Sequence, residues 1–514
     1  MLRDSGGSRA RGHLESRILP LPRIMIAGLR GSGGKTLVSV GLTAAWRNLG
    51  FAVAPYKKGA DYIDAAWLAA AAGHPCRNLD LFMIERDVVF DSFVRTARGS
   101  DLAVIEGNRG LFDGMDAGGT YSAAELAKLL KAPVILVCDC SKTTRTLGAM
   151  VLGCQRFDPA VHIKGVVLNQ VAGRRHESVL RDVIQTYCGL PVLGAIPRLA
   201  ECPFPERHLG LVPPQEHGEV PGAVQAAARV VEEHIDLDAL MNIARTAPPL
   251  VSEPEASAGG TRGDLAEKEL PAHEVPSAET GKVGKPGGKD TIKPEPDSHQ
   301  VRIGVFRDEA FQFYYPENLE ALEREGGRLI ESSPLRDRKL PEADAIYIGG
   351  GFPETFAEEL AANVDFRHAV AAAVEAGMPV YAECAGAVYL GRSLIMGENT
   401  YPMAGALPVV FGFDTRPQGH GYAIMEVTRS NPYFPVGDSF RGHEFHYSRV
   451  LDLDEKKLSF AFRVQRGYGI DGEHDGICRK NTLATYCHIH ALGVGNWARS
   501  LVQAGMLRRR SGPA

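Results

Sequence analysis

Gly28-Leu29-Arg30-Gly31-Ser32-Gly33-Gly34-Lys35-Thr36 follows the strand-like run Arg23 to Ala27 and opens the helix-forming stretch Thr36 to Asn48. A glycine-rich turn between strand and helix that closes on Gly-Lys-Thr is the context of a phosphate-binding loop. The backbone N–H groups around Gly28, Gly31, Gly33 and Gly34 can turn inward on phosphate oxygens, and the helix N-terminus adds partial positive charge. Lys35 reaches the terminal phosphates and Thr36 can ligate Mg²⁺. The first glycine stands one residue early for the usual spacing, with Leu29 in its place. A plain Gly-rich turn is the bland alternative.

Outward from this loop, strand-like runs (Leu102 to Ile105, Pro133 to Val137, Lys164 to Leu168) alternate with helix-like stretches such as Ala123 to Leu130. That rhythm predicts a parallel sheet covered by helices. From Pro248 to Gln300 the chain is rich in Pro, Glu, Gly, Lys and Ser and free of aromatic residues, too polar to offset its chain entropy. The rhythm then restarts, with strands at Val301 to Phe306, Ala345 to Ile348 and Pro379 to Tyr381 and helices at Glu317 to Glu325 and Phe366 to Ala376. The expected organisation is a disordered tail over 1–20, a P-loop α/β domain over 21–247, a disordered linker over 248–300 and a second α/β domain over 301–510.

A chain of 514 residues exceeds the size at which one core keeps growing. Its formal net charge of -5 carries no nucleic-acid footprint, so an anionic ligand must be held by local cations. The nine cysteines form no CxxC pair, no apolar run approaches the length of a bilayer span, and the N-terminus lacks an apolar signal core. A cytoplasmic protein without membrane or nucleic-acid partners is expected.

Lys57-Lys58-Gly59-Ala60-Asp61-Tyr62-Ile63-Asp64 and Glu106-Gly107-Asn108-Arg109-Gly110-Leu111-Phe112-Asp113-Gly114 place carboxylates beyond strand ends, the edge of an open α/β sheet where ligands bind. Asp61, Glu106 and Asp113 are each expected in a Gly-containing loop, serving phosphoryl transfer. Thr36, Asp61 and Glu106 are the candidate Mg²⁺ ligands, since Mg²⁺ takes hard oxygens beside a triphosphate. For Asp64 a helix cap is an equal alternative.

In the second half, Tyr381-Ala382-Glu383-Cys384-Ala385-Gly386 sets a cysteine between strand and helix, the elbow that exposes a nucleophile near a helix N-terminus, where thiolate is favoured. A buried structural cysteine is the alternative. Thr485-Tyr486-Cys487-His488-Ile489-His490 offers two histidines on one strand face, either able to serve as base. They could also be a metal pair, as could His443 and His446, but no convincing third ligand accompanies them. Gly349-Gly350-Gly351-Phe352-Pro353 can present the N–H groups of Gly350 and Gly351 to an oxyanion, or be a tight turn.

Together these stretches resemble the cobyrinic acid a,c-diamide synthase family of glutamine-hydrolysing corrin-ring amidases. The P-loop glycine spacing is similar to that of the dethiobiotin synthetase-like branch. The likeness runs from Gly28–Thr36 through Lys58–Asp64, Arg77–Asp80, Glu106–Gly114, Arg207–Leu211, Gly349–Glu354, Glu383-Cys384 and Glu444–Ser448 to Tyr486–His490. It implies a dethiobiotin synthetase-like ATP- and tetrapyrrole-binding half joined to a class I glutaminase half. By that pattern Cys384 is the nucleophile and His488 the base. ATP and Mg²⁺ would activate the a and c acetate carboxylates of cobyrinic acid as acyl phosphates, and ammonia from L-glutamine would convert them to amides, a step of cobalamin biosynthesis. Arg207-His208, Arg441 and the Tyr62-Ile63 pair are the ring-binding candidates.

Ala60, Ala385 and Asn108-Arg109 depart from the family pattern without removing a catalytic group, which admits sirohaem or nickel-sirohydrochlorin as the ring. The acidic third member of the glutaminase triad is not visible beside His488, and a homodimer is left open. A rival from another class is an ATP-switch protein of the partitioning type with a non-catalytic C-terminal module, suggested by Arg30 at the place of a second lysine.

Overall fold

Strand β1 (Arg23–Gly28) lies inside a seven-stranded sheet with β2 (Val53–Lys58), β3 (Arg77–Leu79), β4 (Leu102–Gly110), β5 (Val134–Asp139), β6 (Ile163–Val171) and β7 (Val192–Pro197). The order is β3-β2-β4-β1-β5-β6-β7, and every pairing is parallel. Such strands are covered on both faces, which is why they read as continuous apolar runs rather than alternating ones. The computed structural model describes residues 18–207, 210–251, 300–454 and 456–511.

Helix α1 (Lys35–Asn48) packs on the sheet and against α3 (Val220–His234), whereas α2 (Tyr62–Ala72) follows β2. Gly41 lets α1 and α3 approach closely: a Cβ there would lie 2.4 Å from Val231 Cγ2 and 2.6 Å from the Ala227 carbonyl oxygen. A backbone oxygen cannot step aside. Gly41→Ala is therefore expected to destabilise by roughly 1 to 3 kcal/mol through overpacking, more than the gain of about 1 kcal/mol in helix propensity returns. The denaturant midpoint measures it.

The second half is built on a nine-stranded mixed sheet. Its order is β9-β8-β10-β11-β16-β15-β14-β12-β13, from β8 (Val301–Phe306), β9 (Gly327–Ser332), β10 (Ala345–Ile348), β11 (Val380–Glu383), β12 (Gly419–Val427), β13 (Ser439–His446), β14 (Ser459–Arg466), β15 (His474–Arg479) and β16 (Thr482–Thr485). The first five in that order are parallel and the remainder antiparallel. Helices α4 (Pro316–Arg324) and α6 (Trp497–Ser511) pack together on this half, and the short α5 (Ala385–Leu390) follows β11. The expected class, two α/β halves with parallel sheet in each, is what the chain adopts.

Two expected edges move. Ile18–Leu19 and Leu250–Val251, assigned by sequence to tail and linker, pair as an antiparallel ribbon. Fully buried Arg23 ties the neighbourhood down by donating to the carbonyls of Leu21, Leu130 and Pro248. Residues 1–17 of the expected tail and 252–299 of the expected linker lie outside the described residues, as do His208 and the Arg207 side chain. Among the described residues no helix is long and apolar enough to cross a membrane.

The halves meet through particular side chains. Arg77 of β3 pairs with Glu320 of α4 at 2.5 Å and with Glu317 at 3.6 Å. Tyr422 of β12 donates to Asp80 at 2.8 Å and stacks on Phe82 at 4.3 Å. Arg441, expected to hold substrate, instead spans this seam, donating to the Phe82 carbonyl and lying over its ring.

Candidate functional site

The phosphate loop leaves β1 and enters α1 with Gly34 at φ 89, a left-handed position where an added Cβ would sit 2.1 Å from Asn169 Nδ2. Asn169 at the end of β6 donates to the Gly33 carbonyl and braces the loop. Lys35 is buried and its Nζ donates to the Arg30 carbonyl at 3.2 Å; burial lowers its pKa.

Beneath the loop lies a charge cluster that sequence reasoning did not resolve. Lys57 at the end of β2 is 1 % exposed, and its ammonium bonds Asp64 at 2.5 Å and Glu106 at 2.8 Å, with Asp61 at 3.7 Å. Burial opposes that charge, but Asp64, Glu106 and Asp61 outweigh it and hold the ammonium well above its ordinary pKa. One lysine cannot neutralise three carboxylates. Burial pushes Glu106 up to about 7 and Asp61 up to about 6, while Asp64, nearest the ammonium, stays low against the cost of burial.

Two expectations are corrected here. Glu106 does not stand in a loop: β4 runs on to Gly110, and Glu106 is a fully buried strand residue opposite Ile26 and Lys57. Of the two aspartates, Asp61 caps α2 by accepting from the Asp64 N–H at 3.0 Å, and Asp64 is the ion-pair partner. Asp113 accepts from the Gly110 N–H at 2.8 Å, closing the turn after β4.

Lys57→Met would leave the buried Glu106 and its half-buried neighbours Asp61 and Asp64 uncompensated. A loss of about 3 to 5 kcal/mol in folding free energy is expected, as for breaking a buried ion pair from one side. Equilibrium denaturation checks it; an unchanged midpoint would mean the acids are neutral when folded.

The glutaminase side is organised by β11 and β16, which run parallel with Glu383 opposite Thr485. Cys384 follows β11 at φ 47 and ψ -100, a strained setting for a side-chain-bearing residue and the signature of a nucleophile elbow. The expected thiolate bias from the helix N-terminus does not prevail. Burial, then the charge of Glu354, push the thiol well above its ordinary pKa, with only the Ala385 N–H acting against them. The resting group is a thiol, so reaction requires a base.

Of the two candidate histidines the structure separates one from the other. His488 lines the same cavity as Cys384. His490 is fully buried away from it, with Nε2 facing Glu317 Oε2 at 3.5 Å and its ring against Tyr315. Gly351 lines the cavity beside Cys384, but Gly350 packs beneath His488, where a Cβ would fall 2.4 Å from Cε1. The Gly350 carbonyl accepts from the Gln312 and Phe313 N–H groups.

A single cavity of about 580 Å³ joins these parts. Lys58, Asp61, Tyr62 and Asp113 line it from the first half, and Cys384, His488 and Glu354 from the second. Tyr62 is the junction: its ring stacks on Phe313 at 5.0 Å and on Tyr315 at 4.5 Å, and stands 5.5 Å from His488. Ile63 is also on the wall. Lys58, Arg109 and Arg466 bring cations to the cavity, and none forms an ion pair among the described residues. In the sequence Arg109 stands out only as a departure from the family pattern, and Lys57, Glu383 and Arg466 are not marked as functional. A lysine inside an acid-rich motif was the available signal for the first; for Arg466 there was none.

A chamber walled by the residues beyond the strand ends of the first sheet and by the elbow cysteine of the second suits a reaction in which one half activates an acid and the other releases nitrogen. A model of the CobQ/CobB/MinD/ParA nucleotide binding domain matches residues 24–211, and one of the CobB/CobQ-like glutamine amidotransferase domain matches 302–495. The chain is thus an ATP-using glutamine amidotransferase, a carbon–nitrogen ligase. Three curated relatives are each named cobyrinate a,c-diamide synthase. That of Magnetococcus marinus is 44% identical over 483 residues, 94% of this chain and 97% of its own. That of Archaeoglobus fulgidus is 40% identical over 496 residues, 96% of this chain and 100% of its own, and that of Methanosarcina acetivorans 37% over 528 residues, 96% and 97%. The chain belongs to the cobyrinate a,c-diamide synthase family, which sets the partitioning-type reading aside.

Proposed function

We propose that the chain amidates the a and c acetate carboxylates of cobyrinic acid, using ATP and L-glutamine, as a step of cobalamin biosynthesis. The observation that carries this reading is the single cavity shared by Cys384, His488 and the phosphate-side residues Lys58, Asp61 and Asp113. In the glutaminase half, the Cys384 thiol gives its proton to His488 and attacks the glutamine amide. The oxyanion is met by backbone N–H groups of Gly351 and Ala385, with Gly350 shaping the pocket for His488. The proton passes to the departing nitrogen, ammonia leaves, and water cleaves the thioester to glutamate.

In the synthetase half, the N–H groups of Gly31, Gly33 and Gly34 and the Lys35 ammonium hold the transferred phosphoryl while a ring carboxylate attacks it. Ammonia then displaces phosphate from the acyl phosphate. The residues fit Mg²⁺: Glu106 Oε2 is buried without a hydrogen-bond partner, Thr36 donates to its other oxygen at 2.8 Å, and Asp61 lies close by. Among the described residues no group of three His, Cys, Asp or Glu side chains is placed to hold a metal ion by itself, so the ion would share Thr36, Glu106 and Asp61 with phosphate oxygens, as Mg²⁺ commonly does. It would neutralise charge on the transferred group.

Lys58, Arg109 and Arg466 suit the peripheral carboxylates of the ring, and Tyr62 and Ile63 its apolar face. Asp61 and Asp113 would repel those acids and serve phosphoryl transfer instead. All nine cysteines are free, which supports a reducing cytoplasm. Neither nucleic acid nor membrane has a role in this chemistry, and a homodimer is compatible with it.

The test is to incubate purified protein with ATP, Mg²⁺, glutamine and each of cobyrinic acid, sirohaem and nickel-sirohydrochlorin, and to weigh the products. Hydroxyl-to-amine replacement at two positions of cobyrinic acid is expected. Amidation of another ring alone would overturn the substrate.

A further inference from the structure

We propose that Glu383, the residue before the nucleophile, is the carboxylate that positions His488, a role that Ile489 and His490 beside the histidine cannot fill. The proposal rests on the roles given to Cys384 and His488 above. Glu383 is fully buried, with Oε2 3.3 Å from His488 Nδ1. Its Oε1 accepts from the Ile489 N–H at 3.3 Å, and Tyr347 donates its hydroxyl to Oε2 at 3.3 Å. One carboxylate thereby holds both the ring and the backbone that follows it.

Strand register produces this arrangement. Glu383 lies opposite Thr485, and Cys384 donates its N–H to the Thr485 carbonyl at 2.7 Å, so His488 arrives beside both residues. A carboxylate at Nδ1 selects the tautomer with its proton there, leaving Nε2 as the basic nitrogen. When that nitrogen takes the thiol proton, the adjacent carboxylate stabilises the imidazolium that forms.

The other groups facing His488 do not supply this charge. His443 of β13 stacks on its ring at 4.9 Å and is held neutral, first by burial and then by His488 itself. Tyr62 of α2 contributes an aromatic face at 5.5 Å, and burial keeps its phenol protonated. His446 is also kept neutral by burial, with its pKa at about 4. The acid facing His490, Glu317, belongs to a different pair.

The experiment measures glutamine hydrolysis by the full-length chain as wild type, Glu383→Gln, Glu383→Asp and Cys384→Ala, across pH, beside amidation fed by ammonium. For Glu383→Gln, kcat is expected to fall roughly 10²- to 10⁴-fold, with KM for glutamine little changed and the pH profile moved toward acid, because an imidazolium that loses a neighbouring anion releases its proton more readily. Glu383→Asp should recover part of the rate, and ammonium-fed amidation should continue. Hydrolysis at the wild-type rate with an unmoved profile would overturn the proposal. So would joint loss of hydrolysis and ammonium-fed amidation with no recovery in Glu383→Asp, the mark of a merely structural residue. Hydrolysis surviving in Cys384→Ala would instead overturn the nucleophile on which the proposal rests.

Discussion

Cys384→Ala is expected to lower glutamine-fed amidation by about 10⁴-fold or more, as removal of a nucleophile does in hydrolytic triads, while amidation fed by high ammonium continues. The asymmetry follows from the layout. The thiol sits at the elbow after β11, and the residues proposed for phosphoryl transfer belong to the other half. Ammonia added from solution reaches the shared cavity without the thioester. Replacing a buried side chain by a smaller one leaves only a small void, so folding should survive. Product formed from each nitrogen source, followed by mass spectrometry, decides it; equal loss with both would remove Cys384 from the mechanism.

Lys35→Ala should fail in the opposite pattern, with amidation lost from either nitrogen source by roughly 10²- to 10³-fold or more. On the proposed acyl-phosphate route, phosphoryl transfer precedes the step at which ammonia enters, so no supply of nitrogen can bypass it. Glutamine hydrolysis measured alone should persist, because Cys384 and His488 stand outside the loop. Ammonium-fed amidation at wild-type rate in this variant would contradict the loop's role.

Much of this arrangement was legible in the chain because local rules and tertiary structure agree. The strand before Gly28 and the helix from Lys35 follow from apolar periodicity and from the Gly-Lys-Thr closure, and β8 and β10 begin and end where periodicity puts them. Cys384 was legible as an elbow because small residues follow a strand. Less was legible where pairing across the fold decides matters. Glu106 looked like a loop residue because the glycines after it mimic a turn, yet β1 and β2 carry β4 onward. Arg441 looked like a ligand for acids, but packing of the two halves commits it to Phe82. Glu383 could not be matched to His488 from spacing, since 105 residues separate them and only the β11–β16 register brings them together.

The stack of Tyr62 on Phe313 and Tyr315 has a meaning for engineering. These halves are not interchangeable cassettes. A glutaminase half transplanted onto another synthetase would lose the ring that covers Phe313 and Tyr315 and would uncover Glu317 and Glu320 from Arg77. The donor half would present an aromatic surface and the otherwise buried Glu317 to water beside its own histidine. A chimera therefore has to carry the Tyr62 segment and Arg77 along with the glutaminase, drawing its junction through the first half rather than between the two.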